Sequence, residues 1–195
     1  THGAEHDHHF GQLTRGGGFR ALERLRAEGA IAGFGLGVNE WQICLEAMDH
    51  ADLDVVLLAG RYTLLEQTAL GSFLPVCLDR RVSVVIGGAY NSGILATGTR
   101  RGGPLYFDYG EAPPPNVKRV RRIEALCDEY GVPLAAAALQ FPLAHPAVVS
   151  VVLGLGNAGR VEQTMALYGT AIPSDLWASL RAEHLIDAAA PLPAA

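Results

Sequence analysis

No apolar run in this chain approaches the ~20 residues that a bilayer-spanning helix needs, and no secretory leader, with its basic start and short apolar core, opens it. Basic clusters are scarce too. The net charge is −5, and the one dense group, Lys118-Arg119 with Arg121-Arg122, has the spacing of a solvated helix face rather than a nucleic-acid-binding patch. Cysteine is limited to Cys44, Cys77 and Cys127. An odd number with no CxxC spacing gives neither a disulfide framework nor a zinc motif, and leaves three reduced packing residues. Membrane and nucleic-acid partners are therefore not expected, and a cytoplasmic location is. What the chain does have is apolar content. With 49% hydrophobic residues in 195, it can bury a sizeable core and reads as one domain or part of one.

The apolar residues fall into short runs, each followed by a polar turn and a helical pattern. Ile31 to Val38 reads as a strand ending in Asn39, with a helix over about 40–50. Asp54 to Ala59 is a second strand, ending at Gly60-Arg61-Tyr62, with a helix over about 65–80. Val82 to Ile86 is a third. Val148 to Leu153 is a fourth, ending in Gly154-Leu-Gly-Asn157 before a helix over about 158–168. Each run is apolar throughout, so each is expected to be covered on both faces, as βα units arrange. Between the third and fourth runs, Thr99 to Asn116 is rich in Gly, Pro and Tyr and reads as a loop over the site. A helix over about 117–130 follows it and stops at Gly131.

The third strand runs straight into Gly87-Gly-Ala-Tyr-Asn-Ser-Gly93. Glycines let backbone amides approach a ligand, Ser92 offers a hydroxyl to a phosphate oxygen, and the Tyr90 ring can stack on a planar heterocycle. A tight loop with a half-buried tyrosine is the bland alternative. A dinucleotide-binding doubly wound sheet requires a glycine fingerprint after its first strand and an acidic residue ending its second, and both are missing. Glycine-rich ends on the last two strands instead match a TIM (β/α)8 barrel, which binds phosphate after strands seven and eight. Closure needs eight strands and four are legible. The expectation is the second half of a barrel, strands 5 to 8 with their helices, whose open edges need the missing amino-terminal half or a second copy to cover them.

Gly35-Leu-Gly-Val-Asn39, Tyr62-Thr-Leu-Leu65, Ala89-Tyr-Asn-Ser-Gly-Ile-Leu-Ala-Thr-Gly98 and Gly154 followed by Arg160-Val-Glu162 occur in the order and spacing of the aldo-keto reductases. From about Gly18 to Leu185 the chain resembles that family, and most closely its sugar-oxidising branch, with the L-fucose and D-threo-aldose 1-dehydrogenases and pyridoxal 4-dehydrogenase. The resemblance makes residues 1–195 the carboxyl-terminal part of a single (β/α)8 domain. It implies an NAD(P)-dependent oxidoreductase acting on a sugar or a pyridoxal-like alcohol or aldehyde. By position, Asn39 would hold the nicotinamide carboxamide and Tyr90 would stack on its ring. Ser92, Gly93 and Leu95 would contact the pyrophosphate, and Gly154, Asn157 and Arg160 would surround the adenosine end.

The family's Asp, Tyr, Lys and His tetrad lies on the first four strands and their loops, and no counterpart is found in this sequence. No catalytic residue is therefore assigned, and the 195-residue chain is expected to be inactive alone. Ala59 and Val38 replace polar residues that many relatives place in the nicotinamide pocket. Gly156 and Thr164 stand where related sequences carry an arginine and an asparagine near the adenosine, which tilts the expectation toward NAD, while Arg160 keeps NADP open. His6-Asp7-His8-His9 contains zinc-ligand types, but adjacent residues rarely converge on one tetrahedral ion, so no metal site is expected. His145 reads as a turn histidine, and Trp41 and Trp177 as packing residues. A sugar-phosphate isomerase or aldolase, holding a monophosphate on the same late glycines, is one alternative. A non-catalytic half-barrel serving as an interaction subunit is the other.

Overall fold

The computed structural model describes residues 4–193, and side chains from residue 8 onward. Two helices, α1 (Ala4–Leu13) and α2 (Gly18–Ala27), lead into β1 (Gly35–Val38), α3 (Trp41–Met48), β2 (Val55–Ala59) and α4 (Phe73–Arg80). Next come β3 (Ser83–Gly87), the single-turn α5 (Ile94–Thr97), and a hairpin of β4 (Tyr106–Phe107) and β5 (Gly110–Glu111). The chain finishes with α6 (Pro114–Glu129), α7 (Leu134–Gln140), a 3₁₀ turn at Phe141–Ala144, β6 (Val148–Val152), α8 (Ala158–Tyr168) and α9 (Ser174–Ala182).

The four apolar runs pair in the order β1-β2-β3-β6, all parallel. Helices cover one face of this sheet. On that side Val56, Leu58, Val84 and Ile86 are fully buried, each contributing about 1.5–3 kcal/mol by leaving water. The other face is open, contrary to the expectation of two covered faces. Gly37, Leu57, Val85 and Ser150 lie in one register row across all four strands, and Leu57 is 39% exposed. Among the described residues the edges β1 and β6 are unpaired, and Val149 and Val152 stand exposed on the second of them. A four-stranded parallel sheet clothed on one side is half of a (β/α)8 barrel, and its bare face is the inner wall.

Local chemistry moves several boundaries. The helix after the second strand is expected from residue 65, but α4 begins at Phe73, because Thr63 captures the intervening backbone. Its Oγ1 accepts from the amides of Leu65 (3.2 Å) and Glu66 (3.0 Å), and Gln67 Nε2 donates to the carbonyls of Thr63 and Leu64. Such side-chain bonds compete directly with helix formation. The first strand begins at Gly35 rather than Ile31. Before it, the Phe34 amide donates to Asp54 Oδ2 at 2.9 Å, and Arg26 pairs with the same oxygen at 2.6 Å. Pro114 and Pro115, with φ preset for a first turn, start α6 earlier than the apolar spacing indicates.

The basic group on α6 is not simply solvated. Arg119 donates to the Leu185 carbonyl at 2.6 Å and Arg122 pairs with Glu183, so two of its four cations dock the segment that ends the chain. Cys44, Cys77 and Cys127 are free and buried, and burial pushes each thiol up to about 12. They are packing residues. Among the described residues no helix is long and apolar enough to cross a membrane.

Candidate functional site

The carboxyl ends of β1, β2, β3 and β6 share one rim, as a parallel sheet requires, and the polar turns gather there. After β3 the chain passes through three consecutive left-handed residues, Asn91 (φ 44°), Ser92 (φ 58°) and Gly93 (φ 97°). The first two are non-glycine, and each such residue costs on the order of 1–3 kcal/mol unless its surroundings hold it. Here they do. Asn91 is buried, accepts from Thr63 Oγ1 at 2.6 Å and donates to the Gly60 carbonyl at 3.3 Å. The strained turn is thereby bolted to the end of β2.

Two cavities flank this turn. One, of about 460 Å³, is lined by Tyr90, Gly93, Gly154 and Arg160, together with Arg101 and the α8 residues Gln163 and Thr164. A smaller one, of about 170 Å³, is lined by Asn39, Ala59, Gly60, Arg61, Gly88 and Ser92, and by Asp108 and Tyr109 of the hairpin turn. Six of the eight expected cofactor residues thus line one cavity or the other.

Leu95 and Asn157 line neither. Leu95 is fully buried, and its amide donates to the Tyr90 carbonyl at 3.1 Å. The Gly93 amide donates to the same carbonyl at 3.0 Å, so both amides expected to face a pyrophosphate are engaged within the turn. Asn157 caps α8, its Oδ1 accepting from the Arg160 amide at 3.0 Å, and thereby fixes where Arg160 leaves the helix.

The loop expected over the site is a hairpin strapped down at two points. Arg61 reaches both carboxylate oxygens of Asp108 at 3.2 Å, and the Tyr109 amide donates to Ser92 Oγ at 3.2 Å. Behind the hairpin, Glu124 is buried and accepts from the amide and hydroxyl of Thr99. Arg100 pairs with Asp128 at 2.5 Å. Asn91, Arg101 and the Arg61–Asp108 pair were not anticipated. The only sequence signal for Arg101 was a doubled arginine inside the insertion, and nothing local distinguished it from Arg100.

Two tyrosine hydroxyls and one histidine of this half-barrel are buried. The Tyr90 hydroxyl is buried without a partner among the described residues, and burial pushes its pKa up. The Tyr62 hydroxyl is likewise buried, unpartnered and raised, and its ring packs on Phe141 at 5.5 Å. His145 is buried, its Nδ1 accepts from the Ala147 amide at 3.2 Å, and the Tyr62 ring meets it edge-on at 5.4 Å. It is structural. Burial holds its pKa below the ordinary value of 6.5, so the unfolded chain binds the proton more readily than the folded one. Stability is expected to fall as pH drops through 6.5 toward the folded value. Replacing His145 with Gln should flatten that part of the curve in urea melts taken from pH 7.5 to 5; an unchanged slope would contradict the assignment. His6 and Asp7 have side chains outside the described residues. Among the described ones, no group of three or more His, Cys, Asp or Glu converges on a metal position.

A sequence model of the aldo/keto reductase family matches residues 8–183. Pyridoxal 4-dehydrogenase of Microbacterium luteolum is 52% identical over 186 residues, which is 95% of this chain and 54% of that protein. D-threo-aldose 1-dehydrogenase of a Pseudomonas species is 38% identical over 92% of this chain and 54% of its own length. An aldo-keto reductase of Bacillus halodurans, solved in its holo form, superposes with a TM-score of 0.66 at 22% identity, over 88% of this chain and 56% of that one. The chain spans about half the length of the relatives it matches.

Proposed function

This chain belongs to the aldo/keto reductase family, and we propose that it supplies the dinucleotide-binding half of an NAD(P)-dependent oxidoreductase that oxidises a sugar or a pyridoxal-like alcohol. The observation that carries this reading is the gathering of Tyr90, Gly93, Gly154 and Arg160 around one cavity, with Asn39 and Ser92 around its neighbour. The names of the two close relatives supply the substrate class. A sugar-phosphate isomerase or aldolase has no support from the family.

The residues fit an extended dinucleotide. Tyr90 offers a ring whose hydroxyl end is sunk in the protein, so that rotation is restricted. Asn39, at the end of β1, can hold a carboxamide, and Arg160 brings a cation to the far end. A nicotinamide dinucleotide bound there supplies the hydride chemistry, while the protein supplies aim and charge. The strapped hairpin borders the Asn39 side of the site. On this reading the bare face and unpaired edges of the sheet are covered by the other half of the barrel or by a second copy.

Calorimetric titration of the full-length protein with NADH and NADPH tests the proposal. At least one should bind, and Tyr90→Ala should weaken binding about tenfold or more, since aromatic stacking on a base contributes roughly 1–3 kcal/mol. AMP binding should change far less. Absence of binding by either dinucleotide at millimolar concentration would overturn the reading.

A further inference from the structure

The hairpin that borders the smaller cavity turns in two residues, Asp108 (φ 49°) and Tyr109 (φ 65°), between the paired Phe107 and Gly110. A two-residue turn with both centres left-handed favours Asp at the first and glycine at the second, because a Cβ is crowded there. Here the second centre is a tyrosine, and the glycine next along lies in the ladder opposite Phe107. A bulky side chain at positive φ is strained unless its surroundings hold it. What holds this one is the backbone and its neighbour: the Tyr109 amide donates to Ser92 Oγ at 3.2 Å, and both carboxylate oxygens of Asp108 are gripped by Arg61 at the same distance. Tyr109 is nonetheless 82% exposed, so burial of its ring does not offset the strain. It stands on the wall of the cavity that Asn39 and Ala59 line from the ends of β1 and β2.

We propose that Tyr109 is a specificity-determining residue whose exposed ring stacks on the flat face of the substrate's ring, a pyridine or a pyranose, at the mouth of the site. The inference rests on the oxidoreductase reading above and deepens it, naming a contact to the substrate rather than to the dinucleotide. Ala59, Gly60 and Gly88 on the opposite walls are too small to grip such a ring. An aromatic side chain supplies a large and stiff contact surface with little side-chain freedom to lose. The two straps fix the backbone that carries it, on the side where Asn39 would hold the nicotinamide. The fold thus accepts strain at a position suited to glycine in order to present a ring, a compromise of stability that belongs to functional positions.

Steady-state oxidation of pyridoxal and of L-fucose by the full-length enzyme, with calorimetric binding of NADH and NADPH alongside, tests this assignment. Tyr109→Ala is expected to raise KM about tenfold for whichever substrate is turned over, the factor that stacking on a flat ring typically contributes. Both kcat and the dinucleotide Kd should stay within about twofold of wild type, since the lost contact is made equally in the ground and transition states. Tyr109→Phe should keep the wild-type KM. Tyr109→Gly should lose the substrate contact as Tyr109→Ala does and yet melt at or above the wild-type Tm, because glycine relieves the left-handed strain. An unchanged KM in Tyr109→Ala, or a loss confined to dinucleotide binding, would overturn the assignment and leave the oxidoreductase reading standing. So would a Tyr109→Gly variant that melts below wild type, which would make the ring a packing group. If the wild-type enzyme oxidises neither substrate, both readings fall.

Discussion

Residues 1–195 alone are expected to transfer no hydride from any aldose or pyridoxal-type alcohol to NAD or NADP, even when folded. Oxidising an alcohol requires a group that removes the hydroxyl proton as the hydride leaves. Among the described residues, the following groups are held out of that role by burial, pairing or position. The hydroxyls of Tyr62 and Tyr90 are buried with raised pKa values, Asp108 is paired with Arg61, and His145 is buried before β6. Lys118, the chain's single lysine, sits on α6. A positioned acid–base group contributes typically about 10²–10⁴-fold, and the dipoles that stabilise a developing alkoxide are lost with it. Turnover is read as NAD(P)H absorbance with the purified chain. A rate on the fragment within a hundredfold of the complete enzyme would show that the proton path lies among these residues after all.

Neighbouring leucines on β2 are expected to respond very differently to truncation. Leu58 is fully buried beneath the helices, whereas Leu57 faces the open side of the sheet at 39% exposure. Leu58→Ala should destabilise by about 2–5 kcal/mol, the usual cost of a cavity in a packed core. Leu57→Ala in the 195-residue chain should cost less than ~1 kcal/mol. In a completed barrel, where inward side chains fill the interior in layers, Leu57→Ala should approach the cost of Leu58→Ala. Urea denaturation of both variants in both lengths measures this. Equal losses in the short chain would mean that its open face is already covered.

These contrasts mark where the sequence was readable. Apolar runs located all four strands of the parallel sheet, three of them rich in valine or isoleucine. The same runs misled about coverage: Leu57 and Leu58 look alike in sequence, and only partner geometry separates them. The helix expected from residue 65 fails at Thr63, whose hydroxyl makes a choice between turn and helix that propensity does not register. The alanine-rich α7, buried through Ala136, Ala137 and Ala138, shows no amphipathic period and so went unseen. At the candidate site, residues belonging to continuous motifs, such as Tyr90, Gly93 and Gly154, could be singled out from sequence and lie along one cavity. Asn91 and the Arg61–Asp108 pair act through contacts between distant segments, and no local spacing encodes those. Asn157 and Leu95 were recognised as motif members, but the structure gives one a capping role and buries the other.

Hydrogen–deuterium exchange of the full-length protein, with and without saturating NADPH, tests the central claim most directly, because it locates the dinucleotide on the chain. The account predicts slowed exchange in residues 88–98 and 153–164, the two segments that meet around Tyr90 and Arg160, with the hairpin over 106–111 following. Unchanged exchange in both segments while the dinucleotide is bound would contradict it.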